Sequence, residues 1–109
     1  MPLIRFVGEG VTVQLVEINW GSEYDVPLNE DYDVSTGSYN ITVTAMEGYT
    51  IESVMYINHN WQSEIFFDLN EDGTQATLKN YIVNNATNDI FTITLTGGGG
   101  GGGGSSVTG

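Results

Sequence analysis

An alternation of apolar and polar residues with a period of two is the feature of this sequence that most restricts its fold. It is clearest in 38–45, where Tyr39, Ile41, Val43 and Ala45 are separated by polar residues. This period is typical of a β-strand with one buried face, whereas an amphipathic helix repeats its apolar positions about every 3.6 residues. No stretch between 3 and 96 sustains the helical period. The sequence therefore predicts an all-β fold with no helix longer than two turns.

The spacing of these segments predicts an antiparallel β-sandwich of about seven short strands. The expected strands are 11–18, 38–45, 49–57, 64–69, 76–78 and 89–96. Two of them, 64–69 and 76–78, flank a polar turn and are expected to form a hairpin, whereas 21–37 is expected to be a loop with one extended piece. The residues predicted to be mostly buried are Tyr39, Ile41, Val43, Ile51, Val54, Phe91, Ile93 and Leu95.

The chain divides into three parts by composition. Residues 1–10 are an N-terminal segment in which 3–7 is a candidate edge strand, 11–96 is the sandwich, and 97–109 is a glycine-rich tail or linker. A run of glycines has no side chains to bury and loses the most backbone entropy when it is ordered. The run is therefore expected to be a passive linker or, alternatively, an assembly tail held between copies in a larger particle. Its members are Gly97, Gly98, Gly99, Gly100, Gly101, Gly102, Gly103 and Gly104.

The charge balance is strongly acidic. Fourteen Asp and Glu residues face only Arg5 and Lys79, which gives a formal net charge of −12. Such a chain is repelled by phosphate backbones and anionic lipids, so neither nucleic acid nor membrane is an expected partner. The charge favours solubility, and the alternative is that it mimics the phosphates of DNA. The absence of cysteine excludes disulfides and thiolate metal sites.

Four segments resemble an immunoglobulin-like repeat module of Gram-positive surface proteins and of phage structural proteins. They are YNITVTA at 39–45, EGYTIESV at 47–54, EDGTQAT at 71–77 and NDIFTITLT at 88–96. The resemblance implies an immunoglobulin-like sandwich that serves as a spacer or display domain on cell walls, capsids or tails, without catalytic residues. The module stands alone here, and neither a signal peptide nor a wall anchor is recognised in the sequence. These departures favour a virion component over a surface protein.

One turn contains part of a calcium-binding pattern. Asp68, Asn70 and Asp72 precede Gly73 with the spacing of the first half of a calcium loop, but Lys79 stands where that loop requires a bidentate glutamate. The turn is therefore interpreted mainly as a hairpin connection, with calcium as the weaker alternative. The single histidine, His59, has no second imidazole or thiolate for a metal site and no recognisable nucleophile. No cofactor and no catalytic residue are predicted.

Four aromatic residues are candidates for a contact surface. Trp20 and Trp61 lie beside turn residues, and with Tyr24 and Tyr56 they are candidates for a patch that binds sugar or a protein partner. The alternative is that they pack at the edge of the core.

The function expected from these observations is that of a phage virion structural protein, not an enzyme. It would decorate a capsid or belong to a fibre or tail, as a homo-oligomer or in many copies among other virion proteins, with a host surface receptor as a further candidate partner. It would be made in the host cytoplasm and located in the virion. The alternatives are an acidic DNA mimic that inhibits a host nucleic-acid-binding protein, and a fragment of a bacterial adhesin at the cell surface.

Overall fold

Ten β-strands and no helix make up the part of the chain that the computed structural model describes, residues 2–58 and 61–96. The strands are β1 (Leu3–Val7), β2 (Val11–Glu17), β3 (Glu23–Val26), β4 (Tyr32–Asp33), β5 (Gly37–Ala45), β6 (Ile51–Asn58), β7 (Ser63–Phe66), β8 (Asp68–Leu69), β9 (Gln75–Val83) and β10 (Asn88–Leu95). The prediction of an all-β chain is confirmed for these residues.

The strands form two five-stranded sheets that pack face to face as a sandwich. The first sheet has the order β4-β1-β10-β6-β7, and the second has the order β3-β2-β5-β9-β8. All pairs are antiparallel except β1 and β10, which run parallel with Phe6 beside Phe91. The alternating residues of β2, β5, β6 and β10 point their apolar sides inward, as the period of two requires.

The N-terminal strand is not an edge strand and is not separate from the sandwich. β1 lies between β10 and the two-residue β4, with Ile4 opposite Tyr32, so both of its sides are paired. Ile4 and Phe6 are fully buried. The expected boundary between 1–10 and 11–96 therefore does not divide the fold, because the first segment supplies part of the core.

The chain changes sheets at Phe67, which corrects the predicted hairpin. β7 pairs with β6 in the first sheet, and β8 pairs with β9 in the second. Between them Phe67 is buried, and its backbone N–H donates to the Val54 carbonyl at 2.8 Å. Only Asp68 and Leu69 pair as predicted, with Thr77 and Ala76. Segment 21–37 likewise holds two short strands, β3 and β4, rather than one extended piece.

The core is centred on the ring of Phe91. This ring stacks on Phe6 with centroids 4.3 Å apart and also contacts Tyr56, Phe67 and Tyr81. Seven of the eight residues predicted to be mostly buried are buried, and Leu95 is half-buried against the same core. The alternation therefore identified the inward faces of β5, β6 and β10 correctly.

Candidate functional site

The two tryptophans are exposed on turns at one end of the sandwich. Trp20 follows β2 and is 84% exposed, and Trp61 precedes β7 and is 77% exposed. They lie near opposite edges, because Trp20 belongs to the β2–β3 connection and Trp61 to the β6–β7 connection. The alternative prediction that they pack at the edge of the core is therefore wrong for both tryptophans. The strand order also places them at opposite edges of the sandwich.

The two tyrosines of the expected patch do not join them. Tyr24 lies on the edge strand β3 and packs edge-on against buried Tyr39, with ring centroids 6.4 Å apart. Tyr56 is buried, because it lies opposite Phe91 on the inward face of β6. Burial raises the pKa of Tyr56, and the nearby Asp89 raises it further. One continuous aromatic patch of all four residues is therefore not formed.

A buried carboxylate holds the turn that carries Trp20. Glu17 is the last residue of β2, and its side-chain Oε1 accepts from the Trp20 backbone N–H at 2.7 Å. Its carbonyl accepts from the Gly21 N–H at 2.7 Å. The sequence carries a signal for this burial, since Val11, Val13 and Leu15 place Glu17 on the same inward face of β2.

A polar cavity of about 470 Å³ opens at the same end, between β9, the start of β10 and the end of β6. Four asparagines line it: Asn58, Asn80, Asn84 and Asn88. Tyr56 and Tyr81 form part of its wall, and Lys79 and Asp89 are its charged groups. Of the four aromatic residues predicted to form a contact surface, Tyr56 alone belongs to this lining. The cavity could not be predicted from the sequence, because its residues come from three strands and a loop.

A β-bulge shapes one wall of the cavity. The pairing of β5 with β9 shifts between Tyr39 and Ile41, so that β9 carries an extra residue there. Asn80 adopts a left-handed φ of 59°, and its N–H donates to the Asn40 side-chain oxygen at 3.1 Å. Asparagine tolerates this conformation better than most residues do. Bulges change the direction in which a side chain points, and this one lies at the cavity lining.

A hydrogen bond between the two sheets forms the back of the cavity. The Tyr81 hydroxyl on β9 donates to the Asp89 carboxylate on β10. Burial raises the pKa of Tyr81 far above its ordinary value, and the bond to Asp89 adds to this effect because it requires the protonated phenol. The phenol therefore stays neutral at any physiological pH and acts as a fixed donor.

The outward face of the first sheet is unusually apolar for a chain of this charge. We define the apolar outer face as Val7, Met55, Ile57, Phe66 and Ile90. Phe66 lies opposite Met55. Ile90 and Ile57 adjoin Phe91 and Tyr56, which are opposite each other on β10 and β6. Ile57, Phe66 and Ile90 are each about half exposed, at 48%, 55% and 56%. Charged groups border the face, with Arg5 beside Ile90 and Glu64 beside Ile57.

The calcium candidates hold a turn together by their own hydrogen bonds. The Asp72 carboxylate accepts from the Thr74 hydroxyl at 2.6 Å and from the Thr74 N–H at 3.2 Å, and these bonds lower its pKa. Asn70 bonds Thr74 and Gln75 through its side chain, whereas Asp68 is exposed in β8. Across residues 2–58 and 61–96, no three His, Cys, Asp or Glu side chains are grouped so that they could hold a metal ion.

Two sequence predictions fall outside the described residues: that His59 belongs to no metal or catalytic site, and that the run from Gly97 to Gly104 is a linker or an assembly tail. The residues that are described include no helix long and apolar enough to span a membrane.

Comparison with protein-family models, with curated proteins and with solved structures gives no match for this chain.

Proposed function

We propose that this protein is a virion structural protein of a phage, which attaches to another virion protein through its apolar outer face. The observation that supports this most is the exposure of Ile57, Phe66 and Ile90 on the outward side of the first sheet. Contiguous exposed apolar area of this kind marks protein contact sites. The absence of a recognisable catalytic constellation in the sequence is consistent with a role in assembly.

The charge of the chain defines the chemistry of the partner. Two copies at −12 each repel one another, so the face is a poor site for self-association at low salt. A partner with an apolar centre and a basic rim is attracted instead by the net charge and by Glu64 at the β7 border of the face. Arg5 at the β1 border is paired with Asp31. We therefore propose a basic-rimmed surface on a capsid, fibre or tail subunit as the occupant.

Two finer features belong to the same proposal. The sandwich is of the immunoglobulin-like type, which is supported by the four segments at 39–45, 47–54, 71–77 and 88–96. The glycine run serves assembly and not folding, which is supported by the position of the last strand. β10 ends at Leu95, and the Thr96 N–H still donates to the Thr50 carbonyl at 2.8 Å.

The test is the number of copies of this protein in purified phage particles, measured by quantitative mass spectrometry. In the double variant Ile57→Ser with Ile90→Ser, each substitution removes an apolar side chain that is about half exposed in the free protein. Each should weaken the binding free energy by about 1 kcal/mol, because that exposed area would be buried in the interface. The expected loss of affinity is therefore about 30-fold. Because both side chains are already half in water, the melting temperature should change little.

The control is Ile18→Ser with Met46→Ser, which changes two exposed apolar residues outside this face. This variant should enter particles as often as the unmodified chain does. Equal incorporation of both double variants would show that the apolar outer face is not the attachment site. Absence of the unmodified protein from purified particles would contradict the virion role itself.

A further inference from the structure

The polar cavity between β9, β10 and β6 differs from the rest of the surface in its charge. The protein carries fourteen acidic residues, yet Asp89 alone among them lines the cavity, and Lys79, one of two basic residues, lines it too. The positive charge of Lys79 and the negative charge of Asp89 therefore give the lining a formal net charge of zero. A ligand that enters meets a neutral and amide-rich wall, whereas the rest of the chain repels anions.

Two amides in the lining are available to a ligand. The side chains of Asn80 and Asn88 make no hydrogen bond to another residue within 2–58 and 61–96, and both residues are exposed. Each amide offers two donors and one acceptor oxygen. The bulge fixes the backbone of Asn80, and the pairing of β10 with β1 fixes that of Asn88 opposite Leu3. The amides are therefore held on an ordered framework.

An exposed tryptophan lies beside one residue of the cavity wall. The Asn58 side-chain oxygen accepts from the Trp61 backbone N–H at 3.1 Å, and Asn58 itself lines the cavity. The Trp61 side chain is largely exposed. Solvent-exposed tryptophan side chains are favoured contact surfaces for ligands that have both polar and apolar faces.

We infer that this cavity binds a neutral saccharide. Its volume of about 470 Å³ lies within the range of small-molecule sites, roughly 300 to 1,000 Å³. Most such sites are lined mainly by apolar side chains, whereas this one presents amides, phenols and an ammonium. Hydroxyl groups both donate and accept, so a sugar matches the mixed polarity of the amides. A nucleotide or an acidic sugar would be opposed by the net charge of −12.

The inference does not depend on the proposed role in a virion. The cavity belongs to a single chain, and its wall does not include the apolar outer face. The binding would therefore be present in the free protein, and its failure would leave the attachment proposal unchanged.

The experiment is a two-dimensional amide NMR titration of the full chain, which detects weak binding and locates it. The probes are maltohexaose, cellohexaose and fully N-acetylated chitohexaose as neutral saccharides, and 3′-sialyllactose as an acidic one. We expect at least one neutral probe to bind with a Kd of about 1 mM, a strength typical of a few hydrogen bonds with little apolar burial. The signals that move should be those of Asn80, Asn84 and Asn88 and the indole of Trp61.

The variant Asn80→Ala with Asn88→Ala should weaken binding at least about tenfold, since two ligand hydrogen bonds are lost. The matched control is Trp20→Ala, which changes an exposed tryptophan on the opposite edge and should leave the Kd unchanged. An amide spectrum with unchanged dispersion shows that each variant is folded. Absence of shifts with all neutral probes, shifts that persist in the double variant, or binding of sialyllactose alone would each overturn the inference.

Discussion

Phe66 and Phe67 are adjacent in the chain but lie on opposite sides of the first sheet, and this gives a sharp test of the fold. Phe66 is 55% exposed on the apolar outer face, whereas Phe67 is 5% exposed and contacts the Phe91 ring edge-on at 5.8 Å. The difference arises because successive side chains alternate between the two faces of a strand, so Phe67 points inward like Ile65, whereas Phe66 points outward with Met55. Alanine at each position should therefore have very different effects.

The expected magnitudes follow from burial. Phe67→Ala removes a buried ring and leaves a cavity beside Phe91, which costs about 3 to 5 kcal/mol of unfolding free energy. Phe66 is about half buried, so its truncation costs about 1 kcal/mol from lost area, with no enclosed cavity. A domain of this size has a total stability of roughly 5 to 14 kcal/mol. Phe67→Ala should therefore come close to unfolding the protein, whereas Phe66→Ala should not.

The measurement is urea unfolding followed by far-ultraviolet circular dichroism, because both tryptophans are exposed in the folded state and report its loss poorly. Phe67→Leu serves as a second variant, since it keeps most of the volume and should recover more than half of the loss. Equal losses for Phe66→Ala and Phe67→Ala would refute the placement of Phe67 in the core and of Phe66 on the outer face. A larger loss for Phe66→Ala would mean that the register of β7 is shifted by one residue.

Two further predictions concern a turn and the alkaline limit of stability. Gly73→Ala should destabilise the protein by more than about 1 kcal/mol in thermal melts, because Gly73 has a φ of 73° and a Cβ there would lie 2.7 Å from the Thr50 methyl group. Gly21→Ala is the steric control, since Gly21 has a similar φ of 72° but a Cβ there would have nothing within 4 Å. Stability should fall as pH rises above about 10, since Tyr81 has a raised pKa in the folded state and ionises first when unfolded. Tyr81→Phe should reduce this slope in urea titrations at increasing pH, and an unchanged slope would contradict the assignment of that phenol.

The inward faces of the central strands could be predicted from the sequence because they depend only on local alternation. Val43 and Ile93 are each separated from the next apolar residue on either side by a single threonine, and both are buried. The same rule places Tyr56 inward with Val54, so its assignment to an exposed patch was wrong for a reason visible in the sequence. Glu17 follows Val13 and Leu15 on the inward face of β2. Its carboxylate accepts a hydrogen bond from the next turn, and an acidic residue at such an inward position is therefore a signal for that turn.

The pairing of distant segments could not be predicted in this way. The parallel contact of β1 with β10 joins the two ends of the fold, and nothing in LIRFV distinguishes an inner strand from an edge strand. The cavity has the same origin, because Asn58, Asn80 and Asn88 come together only through pairing across both sheets. The adjacent aromatics Phe66 and Phe67 did carry a local signal, since they interrupt the period of two where the chain changes sheets.

The positions of the acidic residues explain how a sandwich with an exposed apolar face avoids aggregation. The edge strands are β3, β4, β7 and β8, and each is only two to four residues long. Each also carries at least one acidic residue: Glu23 and Asp25 on β3, Asp33 on β4, Glu64 on β7 and Asp68 on β8. Short charged edges oppose the addition of another strand, which is the usual route to sheet aggregation.

This distribution also bears on the alternative of DNA mimicry. A mimic needs its carboxylates along one face with the spacing of phosphates, whereas five of the fourteen acidic residues are divided among the four edge strands of the two sheets. Arg5 further neutralises Asp31 through an ion pair of 3.1 Å between Nε and Oδ1. These five carboxylates therefore lie where they oppose the addition of a strand, and not in one row on a single face.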